Sequence, residues 1–238
     1  MDESMADRSS ANSKKIVIAI DGPAGSGKST LAALLAKKYN YTNIETGAMY
    51  RALAFNALQQ NVSLDDAERL AVLAQQSRIE LIARAEGNRV LLDGADVTDR
   101  LRNQQVTDAA SKVSVHTPVR EWMVASQREM GAGGGVVMEG RDIGTKVFPD
   151  AEVKIFLDAA PEIRGARRFM EKPNAARQQA SVIADLHARD QRDRTRANSP
   201  LQPASDAAVI DSTHLTLEQV LGRAVELIDA KLKKTTQR

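Results

Sequence analysis

The stretch Gly22-Pro23-Ala24-Gly25-Ser26-Gly27-Lys28-Ser29-Thr30 decides the fold of this chain, because it matches the pattern G-x-x-x-x-G-K-[ST]. A short apolar segment at residues 16–20 precedes it and predicts a strand, and a helical pattern begins at Ser29. Glycines let the chain turn back without a Cβ in the way, so that consecutive backbone N–H groups can surround a phosphate. Strand, loop and helix together predict a P-loop rather than an ordinary glycine-rich turn.

Two side chains of this loop suit the phosphates of a nucleoside triphosphate. Lys28 can place its ammonium group against the β- and γ-phosphates, and the Ser29 hydroxyl can ligate the Mg2+ that accompanies them. The helix that follows adds its positive N-terminal end. We therefore predict that all nine residues form an ATP-phosphate site, with Mg2+ as the cofactor and Ser29 as a ligand of the metal.

Composition limits the class of protein. The 238 residues suffice for one large α/β domain with a small inserted lobe, but not for two domains of ordinary size. Cysteine is absent, which excludes disulfides and cysteine-based metal sites and fits a reducing cytosol. No apolar run reaches the length of a membrane span, and residues 1–10 lack the apolar segment of a signal peptide. We expect a cytoplasmic protein with no membrane contact.

Strand and helix patterns alternate along most of the chain. The predicted strands are residues 16–20, 41–45, 136–138, 153–158 and 207–211. The predicted helices are residues 29–40, 46–60 with Thr46 as N-cap, 104–115, 118–130, 161–170, 175–194 after a break at Lys172-Pro173, and 217–232. This alternation predicts a three-layer α/β fold of the P-loop NTPase type with a central five-stranded parallel sheet.

Residues 61–105 follow a different pattern. Residues 65–76 read as a helix, and the apolar segments 78–83 and 89–92 flank the turn-like Glu86-Gly87-Asn88, which predicts an antiparallel hairpin. We interpret residues 61–105 as an inserted lobe that contains a small antiparallel sheet. Residues 14–60 and 106–238 then form the core domain, and residues 1–13 form a flexible tail.

Polar residues follow two of the predicted core strands. Thr46 and Arg51 come after the second strand, and the segment Glu139-Gly140-Arg141-Asp142 comes after the third. Ligands of open parallel sheets bind outside the carboxyl ends of the strands. These residues are therefore candidates for a second part of the site.

A P-loop alone does not reveal what is done with the nucleotide. No Asp is followed by Gly three residues later and no Asn-Lys pair occurs, so the usual GTPase signals are missing. The chain has no long coiled arm or repeated module, which leaves a motor or transporter ATPase without support. Phosphoryl transfer between two phosphorylated molecules remains the favoured class.

Arginines support that class. Transfer between two phosphorylated molecules crowds negative charge, and guanidinium groups are planar, permanently charged and able to grip a phosphate with two hydrogen bonds. The alternative is that the late arginines form ion pairs with Glu162, Glu171, Asp190 and Asp193 on solvated helices. The candidates are Arg51, Arg120, Arg141, Arg164, Arg167, Arg168, Arg189, Arg192, Arg194 and Arg196.

Six separated motifs resemble those of bacterial cytidylate kinases, in the same order. The resemblance covers nearly everything after Lys14 and includes an enlarged insert in the position of residues 61–105. It implies an α/β fold with a helical lid at residues 161–175. The motifs are residues 22–30, Glu45-Thr46-Gly47-Ala48-Met49-Tyr50-Arg51, Glu139-Gly140-Arg141-Asp142-Ile143-Gly144-Thr145, Val147-Phe148-Pro149-Asp150-Ala151, Lys154-Ile155-Phe156-Leu157-Asp158-Ala159 and Arg189-Asp190-Gln191-Arg192-Asp193-Arg194.

The resemblance implies roles for individual residues. It implies phosphorylation of CMP and dCMP by ATP in a monomer, with no nucleic-acid partner. The implied catalytic residues are Lys28, Arg141, Arg167 and Arg168, and Arg164 joins the P-loop in binding ATP. The implied ligands of the acceptor phosphate are Arg51, Arg141 and Arg196, with Thr46 nearby; those of the base are Ser111, Arg120 and Asp142, and those of the sugar are Arg189 and Asp193.

This chain departs from the commonest family pattern at two places. It has Glu45-Thr46 where Asp-Ser is expected, and Glu139 where Asp is frequent. Each change keeps the functional group and alters its reach, so we expect the roles to be retained with adjusted geometry.

Two other functions stay open. The first alternative is a P-loop kinase for another small acceptor, such as a different nucleotide or a metabolite hydroxyl. An RNA-binding ATPase is the second, although the net charge is only +2 and aromatic residues make up only 3% of the chain.

Overall fold

We describe a computed structural model over residues 15–84, 87–171 and 179–236. The predicted tail at residues 1–13, the break at Lys172-Pro173 and the first residues of the predicted helix 175–194 lie outside the described residues. The strands are β1 (Val17–Asp21), β2 (Thr42–Glu45), β3 (Ile79–Arg84), β4 (Gly87–Leu92), β5 (Ala95–Asp96), β6 (Val136–Gly140), β7 (Val153–Asp158) and β8 (Ala208–Asp211). The α-helices are α1 (Lys28–Tyr39), α2 (Thr46–Gln59), α3 (Ala67–Gln76), α4 (Gln104–Val113), α5 (Thr117–Gly131), α6 (Pro161–Glu171), α7 (Gln179–Thr195) and α8 (Leu217–Thr236).

The main sheet has five parallel strands in the order β2-β6-β1-β7-β8, as the sequence predicts. Its register aligns the polar strand ends, because Glu45 pairs with Glu139 and Asp21 pairs with Gly140. β6 runs two residues further than predicted, so Glu139 belongs to the strand. β6 lies between β2 and β1, and Glu139 pairs with Glu45 on one side and with Ile20 on the other. The carboxyl ends of β1, β2 and β6 therefore bring the P-loop and both polar segments to one edge.

Helices cover both faces of this sheet. Ile18 and Ile155 of the sheet pack in one apolar cluster with residues of α1 and α8. On the other face, Met138 packs with Val124 of α5 and with Val147, which ends a short π-helical segment (Ile143–Val147). Burial on both faces is why the central strands read as continuous apolar runs. Within the described ranges, no helix is both long enough and apolar enough to cross a lipid bilayer.

The predicted antiparallel pairing is confirmed, but Gly87 and Asn88 belong to β4 rather than to the predicted turn, and Glu86 lies outside the described residues. β3 and β4 pair antiparallel, with Arg84 opposite Gly87, and β5 completes a three-stranded sheet. One apolar cluster joins this small sheet to α2, α3, α4 and α5, with members such as Leu53, Val90 and Met123. The cluster contains residues inside the range 61–105 and residues outside it. The boundaries of the inserted lobe therefore stay a prediction.

The prediction that Thr46 is the N-cap of α2 is wrong. Glu45 occupies that position with extended backbone angles, and Thr46 is the first helical residue. The Thr46 hydroxyl instead donates to the backbone carbonyl of Glu139 on β6, 2.8 Å away. A carbonyl on the neighbouring strand satisfies this hydroxyl, so it does not turn back to the amides of its own helix.

Candidate active site

The P-loop connects β1 to α1 with three glycines at positive φ. Gly22, Gly25 and Gly27 have φ angles of 151°, 74° and 94°, which side chains with a Cβ rarely adopt. A Cβ on Gly22 would lie 2.0 Å from the carbonyl oxygen of Leu157 at the end of β7. The loop therefore needs glycine for its turn and for its close approach to the neighbouring strand.

Lys28 is buried at the first position of α1. Its Nζ atom donates to the carbonyl of Pro23 at 2.7 Å and to Oγ of Ser26 at 3.4 Å. Burial and the nearby charge of Arg141 together lower the pKa of Lys28 to about 7, while Glu139 opposes the shift. An anion beside Lys28 would stabilise its charged form.

Glu139 is a buried acid that the sequence marks as a strand-end candidate but that the implied catalytic and ligand residues do not include. Burial raises its pKa and Glu45 adds to the effect, while Lys28 and a hydrogen bond with the Ser29 side chain oppose it. Among the described residues, its Oε1 atom has no hydrogen-bond partner. The signal in the sequence is an acid at the carboxyl end of a strand, but only the strand order puts that strand beside the P-loop strand.

Ser29 and Glu139 fit Mg2+. Hard oxygen ligands suit this ion, which usually takes one or two protein groups and completes its shell with water and phosphate oxygens. A hydroxyl bonded to a carboxylate with a free oxygen matches that requirement. In the described part of the chain, no cluster of three or more histidines and acids offers a self-sufficient metal site.

Asp21 is a second acid that the predicted site omits. It ends β1, and its two carboxylate oxygens accept hydrogen bonds from the backbone N–H groups of Ile143 and Gly144, at 2.8 and 2.7 Å. Burial raises the pKa of Asp21 to about 6, and these two amide bonds hold it below a still higher value. Asp21 thereby holds the turn that directly follows Arg141 and Asp142.

Two arginines converge on Asp142, which lines the same cleft as the P-loop residue Lys28. Arg120 of α5 is buried and donates to Oδ2 of Asp142, and it also donates to the carbonyl of Ser114 at 3.2 Å. Nη2 of Arg196 lies 3.8 Å from Oδ1 of the same carboxylate. The Arg120 guanidinium also lies over the ring of Tyr50, 5.8 Å from its centroid. A buried carboxylate thus fixes two cations at one wall.

A second carboxylate, Asp193 of α7, serves the neighbouring arginines. Nε of Arg141 donates to it at 2.9 Å. Burial would raise the pKa of Asp193, but Arg141 and Arg189 hold it below its usual value. Burial lowers the pKa of Arg189 to about 10, with Arg141 adding to the effect. Like charges gathered in this way are stabilised by an added anion.

Arg51 completes the polar edge at the end of β2. Its Nη2 atom lies 2.6 Å from Oε1 of Glu45, six positions earlier in the chain. Glu45, Thr46 and Arg51 all face the same cleft as Arg141. The first turn and a half of α2 therefore presents one cation and one hydroxyl beside the end of β6.

Two arginines of the predicted lid, Arg164 and Arg167, contact the P-loop itself. Nη1 of Arg164 donates to the carbonyl of Ala24 at 3.0 Å and lies 2.5 Å from Asp190. Arg167 donates to the hydroxyl and the carbonyl of Ser212, at 2.9 and 2.8 Å, and to the carbonyl of Ser26 at 3.4 Å. The alternative of ion pairs on solvated helices fails for two of its acids, because Asp190 and Asp193 are only 6% and 4% exposed.

One cleft of about 380 Å³ collects most of the predicted residues. Those that line it are Ala24, Gly25, Lys28, Ser29, Thr46, Arg51, Arg120, Arg141, Asp142, Arg168, Arg189, Asp193 and Arg196. Those that do not are Gly22, Pro23, Ser26, Gly27, Thr30, Ser111, Arg164 and Arg167. Lining residues without a predicted role include Glu45, Tyr50, Arg102, Gln104, Thr107, Asp108, Glu139 and Asp185.

Ser111 lies just behind the cleft wall. It is buried on α4, while its neighbours Ala110 and Ser114 line the cleft. Its Oγ atom accepts a hydrogen bond from Nε of Arg192 on α7, at 3.1 Å. The predicted list of arginines includes Arg192 without a role, and the structure gives it a contact with a predicted base-reading residue.

A P-loop at the centre of a parallel sheet, facing a second wall of arginines held by aspartates, defines a P-loop kinase. Comparison with known proteins narrows the class. The profile of the family described as Cytidylate kinase matches residues 18–230. The chain belongs to the cytidylate kinase family.

Curated relatives align with this chain over nearly their whole length. A protein named Cytidylate kinase from Bacillus subtilis (strain 168) is 46% identical over 92% of this chain and 98% of its own. Relatives of the same name from Geobacillus sp. (strain WCH70) and Enterococcus faecalis (strain ATCC 700802 / V583) are 49% and 48% identical, each over 91% of this chain and over 98% and 97% of their own.

A solved structure supports the fold alone. The crystal structure of an uncharacterized protein from Eubacterium ventriosum ATCC 27560 aligns with a TM-score of 0.51 at 12% identity. The alignment covers 91% of this chain and 99% of that one.

Proposed function

We propose that this enzyme transfers the γ-phosphoryl group of MgATP to CMP and dCMP, giving ADP with CDP or dCDP. The observation that carries the proposal is that one cleft is lined both by Lys28 of the P-loop and by the buried Arg120–Asp142 pair. We call the P-loop part of this lining the donor wall, and the part that contains Arg51, Arg120, Arg141 and Asp142 the acceptor wall. One cleft can therefore hold a triphosphate and a phosphorylated acceptor together.

The donor end binds the triphosphate through the P-loop. Its backbone N–H groups and Lys28 surround the β- and γ-phosphates, and a phosphate beside Lys28 restores the charge that burial disfavours. Ser29 and Glu139 would hold Mg2+, which when bound neutralises charge on the phosphates. Arg164 stabilises the P-loop through its hydrogen bond to the carbonyl of Ala24.

The acceptor phosphate binds between the end of β6 and the start of α2. Arg51, Arg141 and Arg196 supply its cations, and Thr46 lies beside them in the cleft. Glu45 and Asp193 orient two of these guanidinium groups before any ligand arrives. Little reorganisation is then needed when the phosphate binds, which favours catalysis by prepositioned charge.

The base is read by Asp142, Arg120 and Ser111. A carboxylate accepts a hydrogen bond from the exocyclic amine of cytosine, and the guanidinium and hydroxyl groups donate to its ring nitrogen and carbonyl. Uracil has a carbonyl in place of that amine and would face the carboxylate with a second acceptor. Arg189 and Asp193 hold the sugar, with the carboxylate accepting from a hydroxyl.

No general base is needed, because the acceptor is already an anionic phosphate. Catalysis comes from in-line positioning and from charge neutralisation by Lys28, Arg141, Arg167 and Arg168. Water must be excluded, or ATP would be hydrolysed instead. We assign this task to the lid at residues 161–175, of which the structure describes α6 and residues 172–175 lie outside the described residues. The packing of Ala24 against Val182 and Leu186 joins α7 to the P-loop.

We also infer a cytoplasmic monomer that acts on small molecules and binds no nucleic acid. The absence of cysteine and the net charge of +2 support this inference. Light scattering behind size-exclusion chromatography measures the mass directly. A mass near 25.8 kDa is expected, and twice that value would refute the monomer.

The activity is tested by coupling ADP release to NADH oxidation with CMP, dCMP, UMP, AMP and shikimate as acceptors. We expect CMP and dCMP to be the best acceptors and EDTA to abolish turnover. Preference for AMP or shikimate would replace the proposal with another P-loop kinase. ATP hydrolysis that RNA stimulates, without any CMP phosphorylation, would favour the RNA-binding ATPase.

A further inference from the structure

Asn88 makes an unusual contact between the two sheets. It lies on β4 of the small sheet and is 7% exposed. Its Oδ1 atom accepts a hydrogen bond from the backbone N–H of Glu45, and its Nδ2 atom donates to the backbone carbonyl of Asn43, both at 2.8 Å. Glu45 and Asn43 belong to β2, the strand at one edge of the main sheet.

The geometry is that of a strand pairing made by one side chain. β2 pairs with β6 on one side, and its other side has no strand partner in the five-stranded order. The N–H of Glu45 and the carbonyl of Asn43, two residues apart, point to that open side. A carboxamide carries one acceptor and one donor group, as a peptide bond does, so Asn88 satisfies both.

The bonded segment leads directly into the acceptor end of the cleft. Glu45 is the N-cap of α2, and its side chain holds Arg51 at 2.6 Å. Thr46 follows it and is bonded to β6. The position of the Glu45 backbone therefore determines where the first turn of α2 places Arg51 and Thr46.

A second cleft of about 310 Å³ separates α1 from β4 beside this contact. Ser29 and Thr30 line one side of it, and Gly87 and Asn88 line the other. The small sheet is thus not packed tightly against the P-loop helix at this point. The carboxamide bridge spans from the small sheet to the core edge next to that gap.

We propose that Asn88 is a positioning residue that couples the small antiparallel sheet to the acceptor-phosphate end of the cleft. It acts through the backbone of Glu45, and so through Arg51, without touching substrate. This inference rests on the proposed function, because it assigns Arg51 to the acceptor phosphate. Its consequence is that Asn88 sets the affinity for the acceptor and leaves that for ATP unchanged.

The test compares Asn88→Ala with Asn56→Ala. Asn56 is a matched control because it is also 7% exposed, and its side chain is bonded to Ser77 and Gln60 away from the cleft. We expect Asn88→Ala to raise the KM for CMP roughly tenfold and to leave the KM for ATP within about twofold, from the loss of two hydrogen bonds. Asn56→Ala should lower the melting temperature without changing either KM.

Hydrogen exchange shows directly whether the contact with the Glu45 backbone is lost, and the split between the two KM values is the readout that a merely structural role would not produce. In Asn88→Ala the amide of Glu45 loses its acceptor, so its exchange should accelerate relative to the Ile44 amide. If Asn88→Ala fails to fold, Asn88→Asp keeps the acceptor for Glu45 and loses the donor to Asn43. It should then show a smaller rise in the KM for CMP.

An unchanged KM for CMP in folded Asn88→Ala, or an equal rise in both KM values, overturns the inference. The wild-type acceptor assay separates this outcome from failure of the proposed function. If wild type prefers another phosphorylated acceptor, the proposed function fails and the KM comparison is made with that acceptor. If wild type uses no phosphorylated acceptor, both fail together, and the inference is overturned with the proposal.

Discussion

The two walls of the cleft are built in opposite ways. The donor wall comes from one segment of nine consecutive residues, of which Ala24, Gly25, Lys28 and Ser29 line the cleft, and the shape of the loop depends on glycine backbone angles. The acceptor wall gathers side chains from α2, α5, the segment after β6, and α7, and it depends on charge pairs such as Arg120–Asp142 and Arg141–Asp193. The comparison teaches that a phosphate cradle can be encoded locally, whereas a wall that selects one acceptor needs groups brought from distant segments.

The walls also differ in how their cations are held. Lys28 donates to a carbonyl and a hydroxyl, and burial lowers its pKa to about 7. Arg120 and Arg141 are each bonded to a carboxylate that faces the cleft. Lys28 is therefore held by neutral groups, and a bound phosphate would stabilise its charge. Arg120 and Arg141 are oriented by carboxylates before a ligand binds. Changes to the donor wall should affect turnover most, and changes to the acceptor wall should affect selection.

The largest effect is expected from removing the donor cation. Lys28→Ala should lower kcat roughly 10²–10³-fold, because it deletes a charge aimed at the transferred group. Steady-state ADP release measures the change. Lys37→Ala is the control, since Lys37 lies exposed on the same helix and should keep wild-type turnover. Near-normal kcat in Lys28→Ala would remove the donor wall from the mechanism.

Asp21 connects the end of β1 to the segment after Asp142, and its contribution to stability can be tested by pH. Its pKa is raised from 3.8 to about 6, so the folded state binds more protons than the unfolded state in that range. Stability from this group is therefore greatest below pH 4 and is lost as the pH rises toward 6, by on the order of 3 kcal/mol.

Asp21→Asn should remove that pH dependence. Urea unfolding at pH 4 and pH 6.5 gives the free energy of unfolding for both proteins. The free energy of unfolding at pH 4 minus that at pH 6.5 should be larger in wild type than in the variant. If the two proteins show the same difference, the pKa of Asp21 is the same in the folded and unfolded states, and burial does not raise it.

Selection by the acceptor wall is tested through Asp142. Asp142→Ala should reduce the preference for CMP over UMP roughly 10- to 100-fold, the range expected for hydrogen bonds to a charged group. The KM for ATP should change less. Asp150→Ala serves as the control, because Asp150 is exposed. A wild-type ratio of CMP to UMP turnover in Asp142→Ala would assign base selection to other residues.

The smallest effect is expected behind the acceptor wall. Arg192→Ala frees the Ser111 hydroxyl from its 3.1 Å bond and should raise the KM for CMP roughly fivefold, with kcat retained. Arg194→Ala is a matched control on the same helix, since Arg194 faces Asp158 at 3.6 Å instead. Equal KM values in the two variants would leave Ser111 independent of Arg192.

The predicted elements agree with the structure where the signal is local. The P-loop, the five core strands and the hairpin of the small sheet follow from apolar runs, glycine and turn residues, and all are present. The N-cap of α2 was predicted wrongly, because the bond of Thr46 to Glu139 spans 93 positions. Nothing in the residues near Thr46 reveals a carbonyl on another strand.

The sequence by itself determined the donor wall and the order of the elements, because glycine backbone angles and apolar periodicity act over a few residues. It also marked Thr46, Arg51 and residues 139–142 by their position after core strands, and the resemblance to a family gave the acceptor residues their roles. The tertiary structure alone decided which carboxylate holds which arginine, revealed Asp21 and Asn88, and placed Glu139 beside Ser29. Hydrogen bonds such as Asp21–Gly144 join residues 123 positions apart, and sheet order, which no local pattern specifies, brings them together.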